Sequence, residues 1–191
     1  MPPRAVEVGP RWRSGQFNKV TPSKSGQAAL RRQRRGRQHG CWGHLIVAPL
    51  WVAYEANLGT LLRTCDAVGA CMALPSTHHY RQALEHGDTL GRSRPHVHWV
   101  KSAKDTWVDA MQAQGWRVVA VELAEDATPL PRLQPATHRT VVLLGHEHNG
   151  VPATWVERAD ACVEIPMVGR GASLNVAVAG SLVLYRLAGL S

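Results

Sequence analysis

From Val163 to Leu187 the chain reads VEIPMVGRGASLNVAVAGSLVLYRL, and this stretch limits the fold more than any other. Val163 to Met167 has the β-branched, apolar content of a buried strand. Gly169 and Gly171 follow, residues whose backbone reaches conformations barred to other side chains and approaches a ligand closely. Ser173 then stands where an N-cap is expected, ahead of a long apolar helix whose first turn offers free backbone N–H groups. Leu174, Val176, Val178, Leu182, Val183, Leu184 and Leu187 are distributed on more than one face of that helix, so it requires burial on two sides. Strand, glycine loop and helix start together form a cradle for a ligand.

Upstream, the same alternation recurs. HLIVAPLWV from His44 is strand-like, and NLGTLLRTCDAVG (57–69) places Leu58, Leu61, Leu62, Cys65 and Val68 on one helical face before Gly69 ends it. ACMAL (70–74) predicts a strand, Arg81 to about Leu90 a helix, and HVHWV (96–100) a strand. A helix over Asp105–Gly115, a strand over 116–123, a Pro-rich connector over 129–135, a strand over 140–145 and a helix over Pro152–Arg158 complete the series. Continuous apolar strands alternating with helices imply an α/β fold, with a largely parallel sheet covered by helices on both faces.

The net charge of +8 is confined to one end. Residues 1–40 hold ten Lys/Arg against Glu7 alone, whereas residues 41–191 hold twelve against thirteen acidic groups. Residues 1–40 are therefore read as a basic, flexible arm, and 41–191 as the folded domain. The arm peaks at RRQRRGR, whose Arg31, Arg32, Arg34, Arg35 and Arg37 are candidates for contact with a polyanion through counterion release. Trp12 and Phe17 add faces on which bases could stack. A solvated leader is the plainer reading of the same residues. No apolar run nears the ~18 residues needed to span a bilayer, and no secretory signal is evident. Cys41, Cys65, Cys71 and Cys162 lack zinc spacing and are expected to be reduced, in a cytoplasmic protein. The period-two pair in HVH is expected to pack rather than to bind metal, and His146 and His148 receive no assignment.

Three segments in order, NLGTLLR (57–63), LLGHEHNGVP (143–152) and IPMVGRGASLNVAVAGSLVLYRL (165–187), resemble the three motifs of the SpoU/TrmH family of RNA 2′-O-ribose methyltransferases, of the SPOUT class. The resemblance implies a deep C-terminal trefoil knot, which departs from the rule against threaded chains. It also implies S-adenosylmethionine as cofactor, a homodimer whose active sites are completed across the interface, and methyl transfer to a ribose 2′-hydroxyl of tRNA or rRNA; from the residues themselves, no metal and no membrane are expected. By the same resemblance the catalytic positions are Asn57, Arg63, Glu147, Ser173 and Asn175. Leu143, Leu144, Gly145, Ile165, Met167, Ser173, Leu174 and Asn175 are the cofactor-binding positions.

Methyl transfer from a sulfonium is an in-line displacement, so the principal task is to place the hydroxyl opposite the leaving sulfur. Arg63 matches the family arginine on the nucleophile side, and it also belongs among the RNA-binding residues. A guanidinium stays protonated, which favours an electrostatic clamp over a base. Asn57 could equally be a simple helix cap. Glu147 could bind substrate, hold a partner chain's Arg63, or cap the next helix. A catalytically silent knotted RNA-binding protein and a SPOUT enzyme methylating a base are the alternatives. The five retained polar positions argue against the first, and the Ser-Leu-Asn step argues against the second. The GRG at 169–171 lacks a third glycine, which removes a dinucleotide-binding fingerprint.

Overall fold

The computed structural model describes residues 44–87, 94–171 and 173–190. The proposed arm, with Arg31, Arg32, Arg34, Arg35 and Arg37, lies outside the described residues, as does Cys41 of the proposed domain. Seven strands form one all-parallel sheet: β1 (Leu45–Ala48), β2 (Cys71–Leu74), β3 (Val97–Trp99), β4 (Arg117–Val121), β5 (Thr128–Pro129), β6 (Thr140–Leu143) and β7 (Ala161–Glu164), in the order β3-β2-β1-β6-β4-β7-β5. The helices are α1 (Glu55–Val68), α2 (Thr77–Gly87), α3 (Lys104–Ala113), α4 (Ala153–Arg158) and α5 (Val176–Leu187).

Strand alternation sorts the core into two layers. Leu45, Val47, Met72, Leu74, Val142 and Leu144 pack beneath α1, α2 and α5. Ile46, Ala48, Ala73, Val141 and Leu143 face α3 and α4, around the fully buried Trp155. Both faces are thus covered, as continuous apolar strands require. Trp155 is held by its indole N–H, which donates to Asp105. No helix among the described residues is long and apolar enough to cross a membrane.

Several boundaries differ from the sequence reading. β1 stops at Ala48, because Pro49 has no N–H for a ladder. α2 begins at Thr77, four residues before the expected Arg81: the Ser76 hydroxyl pairs with His79 Nδ1 at 2.8 Å and the Ser76 carbonyl accepts from Tyr80 N–H, which starts the helix earlier. The expected connector begins on the second residue of the edge strand β5 and continues into a 3-10 turn at Leu130–Arg132. β7 runs over Ala161–Glu164, not Val163–Met167, since Ile165 and Pro166 leave the sheet to enter a loop. Cys65 and Cys71 are buried and Cys162 is half-buried, all as free thiols.

β1 and β6 lie side by side in the middle of the sheet, yet the chain leaves β1 toward α1 on one face and leaves β6 toward α4 on the other. At such a switch point the loops beyond the carboxyl ends diverge and leave a crevice.

Candidate active site

A cavity of about 590 Å³ opens at the carboxyl ends of β4, β6 and β7 and under the start of α5. Leu144 and Gly145 reach it from β6, Ile165 and Met167 from the loop after β7, and Ser173 and Leu174 from the approach to α5. Six of the eight positions expected to bind a cofactor therefore converge on one space. Leu143 does not line it: its side chain points to the opposite face of the sheet and is buried in the layer under α4. Asn175 does not line it either. It is the N-cap of α5, with its Oδ1 accepting from Ala177 N–H at 2.9 Å and Val178 N–H at 3.2 Å. That corrects the expectation that Ser173 caps the helix; Ser173 instead faces the cavity.

The glycine loop also works differently from the expectation. Gly169 and Gly171 are not among the positive-φ residues, and a Cβ on Gly169 would meet nothing within 4 Å. The demanding position is Gly145. A Cβ there would lie 2.0 Å from the Gly150 carbonyl carbon, because the 146–150 turn closes back on itself through His146 N–H to Gly150 O and the reciprocal bond. Only a residue without a side chain admits that closure.

Asn57, Glu147 and Asn175, one from each motif, form a single hydrogen-bonded chain. Because Asn175 Oδ1 is committed to the α5 N–H groups, its amide nitrogen donates to Asn57 Oδ1 at 3.0 Å. Asn57 Nδ2 consequently donates to Glu147 Oε1 at 2.6 Å. Glu147 also accepts from Ala53 N–H at 3.0 Å and Tyr54 N–H at 3.1 Å. Burial alone would raise the Glu147 carboxyl, but hydrogen bonds from Ala53, Asn57 and Tyr54 outweigh it and hold the group below its ordinary value. Glu147 thus anchors the turn into α1 and not the helix that follows it in sequence. Asn57 sits at the third position of α1, inside the first turn; Tyr54 occupies the cap position without a capping side chain.

Arg63 lies two turns further along α1, exposed, with an ion pair to Asp66 at 3.6 Å. It does not line the cavity. Beside Glu147, His148 Nε2 and the Tyr54 hydroxyl lie 3.2 Å apart, and the two rings meet edge to face.

Sequence reasoning missed Val121, Glu122 and Leu123, which line the cavity from the end of β4. Glu122 fastens the second motif, since its Oε2 accepts from Val151 N–H at 2.9 Å. The available signal was positional: any parallel strand beside β6 and β7 delivers its carboxyl end to the same crevice.

The lining has a definite electrostatic character. Apolar walls of Leu144, Ile165, Met167 and Leu174 are accompanied by Glu122, Glu147, Glu164, His146 and His148, and no Lys or Arg is among the described lining residues. That residue set favours an organic ligand carrying positive charge over one carrying phosphates.

Residues 44–185 match the model of the SpoU rRNA Methylase family. A mouse tRNA (guanosine(18)-2'-O)-methyltransferase, TARBP1, is 31% identical over 150 residues, 74% of this chain and 9% of that protein. The tRNA (guanosine(18)-2'-O)-methyltransferase of Aquifex aeolicus is 34% identical over 146 residues, 74% of this chain and 67% of that one. Among solved structures, the AdoMet-bound rRNA methyltransferase from Sinorhizobium meliloti superposes with a TM-score of 0.61 at 26% identity, over 80% of this chain and 58% of the other. The chain spans a small part of the mouse relative and a little over half of the Sinorhizobium enzyme.

Proposed function

The chain belongs to the SpoU rRNA Methylase family, and we propose from that membership that it is an S-adenosylmethionine-dependent methyltransferase acting on a ribose 2′-hydroxyl of tRNA or rRNA. The observation that carries the reading is the charge of the cavity. S-adenosylmethionine combines an adenine and ribose with a sulfonium and an ammonium. Three lining glutamates, with no Lys or Arg among the described lining residues, suit that ligand and disfavour a nucleotide cofactor with a pyrophosphate. Its volume falls within the ~300–1,000 Å³ range of small-molecule sites.

When bound, the cofactor supplies an electrophilic methyl group on a sulfonium. The chain's own residues supply placement. Leu144, Ile165, Met167 and Leu174 enclose the apolar parts of the ligand and exclude water. The Asn57–Glu147–Asn175 chain fixes α1, the second-motif turn and the start of α5 relative to one another, so that the nucleophile side is pre-formed. Glu147 accepts from Ala53, Tyr54 and Asn57, none of which lines the cavity, and so acts as a positioning residue. Arg63, exposed and paired among the described residues with Asp66 at the surface, can exchange that ion pair for an RNA phosphate beside the target ribose. Ser173 is a polar side chain within the cavity, beside Glu122 and Glu164.

The proposal includes a homodimer, the knotted C-terminal threading implied by the motifs, and residence in the cytoplasm. Support for the dimer comes from Val178, Leu182 and Tyr185, a stripe at helical spacing that is 39–45% exposed along α5.

Two measurements test the reading. Calorimetric titration should give S-adenosylmethionine binding well above that of a nicotinamide dinucleotide. Incubation with unmodified tRNA and rRNA should produce a 2′-O-methylated nucleotide detectable by mass spectrometry. Cofactor binding without transfer would favour the silent RNA-binding alternative, and methylation on a base would overturn the ribose assignment.

A further inference from the structure

At the amino ends of β2 and β3, opposite the cavity, three side chains with metal-binding chemistry meet. Cys71 opens β2, His96 immediately precedes β3, and His98 lies within β3. The parallel register pairs Met72 with Val97 and Ala73 with His98, which sets Cys71 across from His96. Met72 N–H donating to His96 O at 3.1 Å extends that register by one residue. Alternation then projects Cys71, His96 and His98 from the same face of the sheet.

Their ligating atoms all lie within 4.8 Å of one another. A tetrahedral site with Zn–S of about 2.3 Å and Zn–N of about 2.0–2.1 Å requires ligand atoms roughly 3.3–3.6 Å apart. The difference is within reach of side-chain rotation, because the His96 and His98 rings are already edge to face at 4.6 Å. His98 also meets Trp116 at 6.4 Å, and the Arg139 guanidinium lies over that indole at 4.2 Å. The cluster contains no carboxylate.

We propose that Cys71, His96 and His98 form a binding site for a borderline-soft divalent transition metal, zinc above all, with one coordination position left to solvent. One thiolate and two imidazoles are the donors that zinc takes, whereas magnesium and calcium require oxygen. Binding converts the Cys71 thiol to a thiolate and releases its proton to water. The site adds a side-chain tie between the three-residue edge strand β3 and β2, beside their ladder hydrogen bonds. The inference is independent of the methyl-transfer reading, since this end of the strands is remote from the cavity.

The test uses the full chain, stripped with a chelator and titrated with Co²⁺ as a spectroscopic probe and Zn²⁺ as competitor. One Co²⁺ per chain should bind, with a thiolate-to-cobalt charge-transfer band and tetrahedral d–d absorption. Zn²⁺ should displace it and raise the melting temperature. His96→Ala, at an exposed position, should weaken binding at least tenfold and abolish the Zn²⁺-dependent rise. Cys71→Ser should remove the charge-transfer band, and His86→Ala should change nothing. Absence of stoichiometric Co²⁺ binding overturns the proposal, as does a band and affinity unchanged in His96→Ala.

Discussion

Asn57 and Glu147 meet at 2.6 Å, amide nitrogen to carboxylate, across 90 residues of sequence. The contact joins the first turn of α1 to the turn after β6, and Asn175 extends it to the cap of α5. Three motifs that are remote in the chain share one line of hydrogen bonds.

Replacing Glu147 is therefore expected to cost stability as well as turnover. Three donors converge on its two oxygens, so the –NH₂ of a glutamine would face a donor in either orientation. Glu147→Gln and Glu147→Ala should each lose about 1–3 kcal/mol in urea unfolding, since backbone N–H groups lose a charged acceptor. Because the native carboxyl is held below the ordinary 4.5, the unfolded chain binds its proton first. The stabilisation is complete above that value and is lost as pH falls through the lower native value. The acid-side decline should accordingly be shallower in Glu147→Gln than in wild type. Equal declines would show that the carboxylate does not titrate with folding.

Arg63→Ala is expected to behave in the opposite way. An exposed i,i+3 ion pair contributes at most about 0.5 kcal/mol, so the fold and the cofactor affinity should be unchanged while methyl transfer is lost. Arg63→Lys should recover only part of the activity, because an ammonium cannot grip a phosphate bidentately. Near-normal turnover of Arg63→Ala would remove this residue from the reaction.

Gly180→Ala should damage the site from behind. A Cβ at residue 180 would stand 2.6 Å from Leu144 Cδ1 and 3.0 Å from Leu61 Cδ2. Alanine favours a helix by about 1 kcal/mol, yet overpacking costs about 1–3 kcal/mol. Relief comes by displacing Leu144, which lines the cavity. Weaker S-adenosylmethionine binding in calorimetry, with only a small change in melting temperature, is the expected outcome.

Leu182→Glu tests the dimer. Leu182 is 42% exposed on α5, so a carboxylate there should leave the monomer fold intact and shift sedimentation from dimer to monomer at micromolar concentration. A wild-type protein that sediments as a monomer would overturn the dimer itself.

Most of the architecture was legible because the apolar strands and helices carry their periods openly, as with Leu58, Leu61 and Leu62 on α1. The motif order also placed Gly145, Ile165 and Ser173 around one space before any geometry was known. What escaped depended on partners distant in sequence. Asn57 stood between a helix cap and a site role, because nothing local reveals Glu147 across the fold. Leu143 looked like a lining residue because adjacent positions of a strand face opposite sides, and only the packing says which side holds the site. Glu122 had no motif around it, and the two residues of β5 were too few for any period. Cys71 lies on a different strand from the HVH pair, so their meeting required the β2–β3 register.

Deleting residues 1–40 should weaken RNA binding and flatten its salt dependence, while cofactor affinity stays constant. Without those residues the chain retains twelve basic against thirteen acidic side chains, so little long-range attraction for phosphate remains. The cavity adds none, since its charged walls are glutamates. If four arm cations meet phosphates, the log–log salt slope should fall by roughly three, at ~0.7 per contact for single strands. Filter binding of tRNA between low and moderate salt gives both quantities. An unchanged affinity and slope in the truncated protein would place RNA recognition on the folded domain, with Arg63 as its first candidate.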